Sequence, residues 1–307
     1  MRYLLPLAAA FGVSLGGISS SLAEQGPWNI KRLEVAPEFR WIDQEKPIRE
    51  LLYTGEPYRG QSTEVFAFYA TPETVGSEKS DGPWPAVVLI HGGGGTAFAE
   101  WVWMWAQRGY AAIAMDLSGR RPPSPLFDEN GDLKEDRGRD RKSRTRLEKG
   151  GLEQGHPEKF VCIGGNTDDD WPYHAVANAI RAHSLVRSFP EVDPDRTAVT
   201  GISWGGYTTC LVASIDDRFA AAVPVYGCGF LHEGESVQKK PIDGLGERKA
   251  EWIRLYDPSS HLGKCRVPIL FVNGTHDIHY PLDSYQKSFD LVPGPKQMRI
   301  EPRMGHS

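Results

Sequence analysis

From residue 64 onward, short apolar runs alternate with longer stretches whose apolar positions recur at helical spacing. Ala86–Ile90 is continuously apolar, the pattern of a strand buried on both faces. Glu64–Ala70, Tyr110–Met115, Thr197–Thr200, Ala220–Val225, Pro268–Val272 and Gln297–Ile300 are similar runs, and each predicts a strand. Between them, Ala97–Arg108, Trp171–Phe189, Gly205–Ser214 and Leu282–Asp290 have the length and spacing of helices. The alternation predicts the α/β class, with a mostly parallel central sheet and helices on both faces. Asp170, just ahead of Trp171-Pro172, is placed as a helix N-cap, which gives the Asp168-Asp169-Asp170 cluster a structural role. On the Ala97–Arg108 helix, Trp101, Trp103 and Trp105 cannot share one face, so at least one is expected in the core.

Arg120–Lys159 breaks the alternation: it is highly charged, contains Pro122-Pro123 and Gly150-Gly151, and reads as an insertion. Asp128, Asn130 and Asp132 begin like a calcium loop, but Leu133 stands where that loop needs glycine and Arg139 where it needs glutamate. A hairpin turn around Asn130-Gly131 is expected instead. Arg137, Arg139, Arg141, Lys142, Arg144 and Arg146 form a basic run, ordinarily a solvated face. The insertion follows the strand ending near Asp116, and ligands bind at strand carboxyl ends in such sheets, so it is expected to border the site. There Arg141, Lys142 and Arg144 would attract substrates bearing a uronate or sulfate.

Before the alternation begins, Arg2 is followed by the apolar stretch Tyr3–Val13 and then by Ser21-Leu22-Ala23, small residues at both positions a signal peptidase reads. Residues 1–23 are therefore expected to be a signal peptide, too short in its apolar part to span a bilayer. Residues 24–63 read as an N-terminal extension and 64–307 as the main α/β domain. The mature protein is expected to be secreted or periplasmic, with no membrane attachment after cleavage. Export would permit two disulfides among Cys162, Cys210, Cys228 and Cys265, in three possible pairings; no C-x-x-C pair suggests a metal site, and Cys210 reads as a buried thiol.

Composition changes little in this picture. With 40% apolar and 24% charged residues the chain is an ordinary folded protein. Lys and Arg number 35 against 40 Asp and Glu, a net charge of −5 that offers no global attraction to nucleic acid.

The chemistry lies at strand ends. Gly201-Ile202-Ser203-Trp204-Gly205-Gly206 follows the Thr197–Thr200 strand and opens a helix of small residues, the context of a nucleophile elbow. Ser203 would project above the sheet, with the Trp204 N–H aimed at a developing oxyanion. His91-Gly92-Gly93-Gly94-Gly95 follows the Ala86–Ile90 strand, where a second oxyanion donor is expected from Gly93 or Gly94. His91 is expected to anchor this loop. A serine needs a base and the base an orienting carboxylate, in the chain order Ser, Asp, His. Asp277 and His306, each just past a later strand, are assigned as acid and base; Asp283, past Pro281 at a helix start, is the rival acid.

Together these motifs resemble the α/β-hydrolase superfamily over nearly all of the chain from about residue 60. Asp193-Pro194-Asp195-Arg196 before the elbow and Tyr256-Asp257-Pro258-Ser259-Ser260 before the acid strand resemble the branch of acetyl xylan esterases, dienelactone hydrolases and prolyl-oligopeptidase catalytic domains. Dienelactone hydrolases use cysteine where this chain has Ser203, and prolyl oligopeptidases carry a propeller for which residues 24–63 are too few. The resemblance also implies a final helix beyond Ser307, so the catalytic domain is expected to be truncated at its C-terminus or to borrow cover from a partner.

The expected activity is an exported serine carboxylesterase that removes short acyl groups, acetyl first, from carbohydrate such as acetylated xylan, without a metal or organic cofactor. Its partner would be a small-molecule or polysaccharide ester. A secreted peptidase of the prolyl-oligopeptidase type and a catalytically inactive carbohydrate-binding relative are the alternatives.

Overall fold

In the computed structural model, which describes residues 26–77, 81–155, 157–160 and 164–306, the apolar runs assemble into one sheet of nine strands. In chain order these are β1 (Phe39–Asp43), β2 (Arg49–Thr54), β3 (Glu64–Ala70), β4 (Trp84–Ile90), β5 (Ala111–Met115), β6 (Val192–Ile202), β7 (Ala221–Val225), β8 (Ile269–His276) and β9 (Lys296–Gly305). Their spatial order is β1-β2-β3-β5-β4-β6-β7-β8-β9. Pairing is parallel from β5 through to β9 and antiparallel across β1, β2, β3 and β5. Residues 1–23, expected to be a signal peptide, and Cys162 lie outside the described residues.

Alternation along the central strands sorts the core into two layers. Ala86, Val88 and Ile90 of β4 face one layer with helices α3 (Trp171–Arg187) and α4 (Trp204–Ile215), while Val87 and Leu89 face the other with α2 (Ala99–Ala106). Trp101, Trp103 and Trp105 of α2 are all half-buried against that second layer, and none is fully buried. Over β7 and β8 the second layer thins, and Val223, Leu270 and Val272 are half-buried outside both apolar clusters.

The described chain ahead of β3 joins the same sheet. It supplies the short helix α1 (Ile30–Leu33), β1 and β2, and its ends are tied to α3. Trp28 Nε1 donates to the Tyr173 carbonyl at 3.0 Å, and the buried Glu56 carboxylate accepts from Tyr173 Oη at 2.7 Å and Arg181 Nε at 2.7 Å. β2 opens on two charged residues, Arg49 and Glu50, and Glu50 is buried in an ion pair with Arg121 at 2.6 Å. A buried carboxylate that has a partner is tolerated where apolar patterning alone would exclude it.

Asp170 occupies the N-cap position of α3, but its side chain caps nothing; it accepts instead from Tyr256 Oη at 2.6 Å. Two short helices absent from the sequence reading, α5 (Lys239–Asp243) and α6 (Lys249–Tyr256), precede β8, and α7 (Leu282–Leu291) follows it. Cys210, Cys228 and Cys265 are buried free thiols, so none of them forms a disulfide.

Residues 120–159 form a looped excursion with two small antiparallel ladders, Arg120–Arg121 with Thr145–Arg146 and Leu126–Phe127 with Leu133–Glu135. The second closes over Asn130-Gly131 as a hairpin. Asp128 Oδ1 accepts the N–H groups of Asn130 and Asp132 at 2.8 and 3.0 Å, so the carboxylate that opened the apparent calcium loop serves the turn.

Candidate active site

Ser203 sits between β6 and α4 with φ 60° and ψ −119°, a backbone conformation that non-glycine residues rarely adopt. Holding it costs on the order of 1–3 kcal/mol. The turn is fixed by Ser203 N–H to the Val225 carbonyl at 2.8 Å and by Tyr207 N–H to the Ser203 carbonyl at 2.8 Å. It also needs bare backbone on both sides. A Cβ on Gly201 would meet the Ile90 carbonyl oxygen at 2.7 Å, and one on Gly205 would drive into the same oxygen, so the helix could not approach β4.

The three expected side chains come together. His306 Nε2 lies 2.9 Å from Ser203 Oγ, and His306 Nδ1 lies 3.0 Å from Asp277 Oδ2. With the Nδ1–H donated to Asp277, Nε2 is the ring nitrogen left to accept from the serine hydroxyl. Asp277 is itself held, because its Oδ1 accepts the N–H groups of His279 and Tyr280 at 2.7 and 3.1 Å. His306 reaches this point because β8 and β9 run on to His276 and Gly305, beyond their apolar portions, with Arg303 N–H bonded to Thr275 Oγ1 at 2.8 Å. Asp283 lies elsewhere, in the first turn of α7, and makes no contact with His306.

Residues the sequence did not single out confine the imidazole. His279 stacks on His306 at 4.3 Å between ring centroids, Tyr280 at 5.8 Å, and Tyr226 is tilted against it at 4.9 Å. Burial, followed by the neighbouring His306, lowers the His279 pKa, which favours a neutral ring beside the base. The only sequence signal was proximity to Asp277.

The glycine loop packs directly on the elbow. A Cβ on Gly92 would sit 3.2 Å from Ser203 Cβ, and one on Gly93 2.9 Å from Trp204 Cδ1. His91 anchors this loop: its Nε2 accepts from Leu117 N–H at 2.9 Å, and its Nδ1 is 2.8 Å from the Gly92 carbonyl. Burial lowers its pKa, consistent with a neutral ring that donates to Gly92 and accepts from Leu117. Gly94, at φ +70°, gives its N–H to Gln154 Oε1 at 3.0 Å. Of the two glycines expected as oxyanion donors, Gly93 is therefore the one whose N–H has no partner among the described residues, as is also true of Trp204 at the start of α4.

The insertion supports the same loop. Arg144 is buried and donates to the carbonyls of Gly138, Gly94 and Gly95 at 2.9, 2.9 and 2.7 Å. At the far end of the loop, Thr96 Oγ1 donates to Asp116 Oδ2 at 2.7 Å, and Asp116 also accepts from Ser118 and Arg120 N–H where the insertion begins. Ser203 and His306 thus open onto two adjoining clefts. One, of about 650 Å³, is lined by Gly93, Gly94, Arg141, Gln154, Lys159 and Gln238 among others; the second, of about 540 Å³, is lined by the glycine loop, Phe98, Trp101 and Arg139. A third cleft of about 730 Å³ lies between Glu100 and residues 133–143 and excludes Ser203.

Sheet order, elbow and the serine, histidine and aspartate at three strand ends define the class as α/β-hydrolase. Residues 28–239 match the acetyl xylan esterase family, and the chain belongs to that family, as a serine carboxylic ester hydrolase. Residues 243–307 also match the family described as PhoPQ-activated pathogenicity-related protein. The fold is similar to an acetyl xylan esterase from Paenibacillus sp. R4, with TM-score 0.68, 21% identity and 95% of each chain covered. It is likewise similar to acetyl xylan esterase 1 from Thermoanaerobacterium sp. JW/SL YS485, with TM-score 0.64, 18% identity, and 97% of this chain and 94% of that one covered. An acylaminoacyl peptidase of Pyrococcus horikoshii aligns with TM-score 0.58 and 18% identity, over 85% of this chain but 38% of that one. At such identities these structures speak to fold alone.

Proposed function

We propose that this protein is an exported esterase that removes short acyl groups, acetyl first, from carbohydrate such as acetylated xylan. The observation that carries the chemistry is the hydrogen-bonded series Asp277, His306, Ser203 at the mouth of an open cleft. Ser203 Oγ attacks the ester carbonyl as its proton passes to His306 Nε2, and Asp277 holds the imidazolium that forms. The N–H groups of Trp204 and Gly93 hold the oxyanion of the tetrahedral intermediate. Its collapse releases the sugar alcohol, which takes the proton from His306 and leaves an acyl-Ser203 ester. Water, activated by the same imidazole, then attacks that ester and frees the acid.

Family membership supports the ester bond, and the polar, open cleft favours a short acyl group on a hydrated alcohol over a long apolar chain. Export is proposed from the sequence of residues 1–23; among the described residues no helix is long and apolar enough to cross a membrane. Acetate release from acetylated xylan, measured beside p-nitrophenyl esters of increasing chain length and proline-containing peptides, tests the reading. The highest kcat/KM is expected on acetyl esters. Faster peptide cleavage would favour a peptidase of the oligopeptidase type, and failure to label with a fluorophosphonate would favour an inactive carbohydrate-binding relative.

A further inference from the structure

The larger of the Ser203 clefts holds Arg141 and Lys159 and no aspartate or glutamate among its lining residues, in a chain whose net charge is −5. Most of the nearby basic side chains are already used. Arg139 pairs with Glu100 at 2.5 Å, Arg144 is buried on three carbonyls, and Arg146 donates to the Ser118 and Gly150 carbonyls at 2.8 and 2.9 Å. Arg141 is exposed and lines both clefts, and its guanidinium has no ion-pair or hydrogen-bond partner among the described residues.

The same cleft contains two buried amides that are only partly satisfied. Gln154 is 7% exposed; its Oε1 is committed to Gly94 N–H, which fixes the amide and leaves Nε2 as a donor with no partner among the described residues. Gln238 is 3% exposed, and its Oε1 is an acceptor with no partner among the described residues. Burying such a group unpaired costs about 1–3 kcal/mol, a cost a ligand's own polar groups would remove. One donor and one acceptor match the hydroxyls of a sugar ring, which offer both.

We infer that this cleft takes an acylated sugar bearing a carboxylate, with Arg141 on the carboxylate and the free amide ends of Gln154 and Gln238 on ring hydroxyls. The inference rests on the esterase reading and adds the substrate class. A guanidinium presents a planar fork that fits a carboxylate with two parallel hydrogen bonds. Lys159 adds a second positive charge. It donates to the Gly155 carbonyl at 2.6 Å and lies 5.2 Å from the ring centroids of Trp171 and Trp204, and burial pushes its pKa down to about 8, so a bound anion would favour its charged form.

The test compares acetate release from an O-acetylated glucuronic acid glycoside with release from its uronamide, the same shape without the charge. The acid is expected to show kcat/KM about tenfold higher at low ionic strength, with the preference shrinking in high salt. Arg141→Gln should bring the acid-to-amide ratio close to one. Hydrolysis of both by the wild type at a ratio of one or below would overturn the inference and leave the esterase reading intact. Calorimetric titration with free D-glucuronate and D-glucuronamide reads the subsite without turnover, so it remains decisive even if no ester is cleaved. Tighter binding of the acid, weakened by Arg141→Gln, supports the inference; no preference overturns it.

Discussion

Gln154 accepts the Gly94 N–H at 3.0 Å, so one side chain of the charged insertion fixes the backbone beside Ser203. On p-nitrophenyl acetate, which lacks a sugar, Gln154→Leu should lower kcat by about tenfold as that geometry loosens. An unchanged kcat would mean that the loop keeps its shape through Arg144 and His91 alone.

Ser203→Ala should lower ester turnover by several orders of magnitude while leaving the thermal midpoint within a few degrees of the wild type. The hydroxyl is bonded to His306, and the strained backbone stays where the neighbouring strand and helix hold it. Steady-state kinetics on a sample matched by circular dichroism checks both halves; near-normal turnover would remove Ser203 from the chemistry.

Of the two candidate acids, Asp277→Asn should reduce kcat by orders of magnitude, whereas Asp283→Asn should stay close to the wild type. Asp277 receives the His306 Nδ1–H and is buried, while Asp283 stands on the exposed first turn of α7. The opposite ranking in parallel assays would reassign the acid.

Arg141 and Arg144 should separate cleanly. Arg144→Met leaves three carbonyls without their charged donor and should cost about 3 kcal/mol of stability together with activity. Exposed Arg141→Gln should change stability by less than about 0.5 kcal/mol. Urea denaturation of both variants measures the difference. A joint replacement of the basic run would confuse the two effects, since Arg144 supports the loop and does not line the larger cleft.

Asp170 predicts a pH dependence of stability. Burial raises its carboxyl pKa to about 6, against 3.8 ordinarily, with the Tyr256 hydrogen bond acting in the opposite direction. The folded form holds this proton more tightly than the unfolded chain. The contribution is therefore complete below 3.8 and lost as pH rises through about 6, by at most about 3 kcal/mol. Denaturation of wild type and Asp170→Asn at pH 4.5 and 7 should show the wild type losing stability relative to the variant at the higher pH. Parallel curves would place the carboxyl at its ordinary pKa.

The strands legible in sequence were those whose apolar runs lie within the double-sided core, such as β3 and β4. The polar overhangs of β8 and β9 were not, although they are what brings Asp277 to His306. Residues such as Glu301 and Gly305 pair through backbone beyond the apolar layers, where side-chain pattern carries no signal. β1 and β2 were missed for a related reason, because their charged positions are balanced by partners distant in sequence, Arg121 for Glu50 above all. Helix α6 is short, and its signal is confined to Trp252, Leu255 and Tyr256 at i, i+3 and i+4, all buried. The elbow, the glycine loop and the order Ser, Asp, His were legible because each is local or depends only on chain order; the role of Gln154 was not, because a buried amide in a polar stretch looks like any other.

Because Arg144 is bonded to the carbonyls of Gly94 and Gly95, the segment that frames the entrance is also part of what keeps the catalytic backbone in shape. Specificity and competence therefore cannot be exchanged as separate modules. A laboratory graft that replaces residues 120–159 with the corresponding loop of another esterase would inherit a new entrance and lose the brace. If Arg141 holds the carboxylate of the substrate, point changes there would shift preference and leave the brace in place.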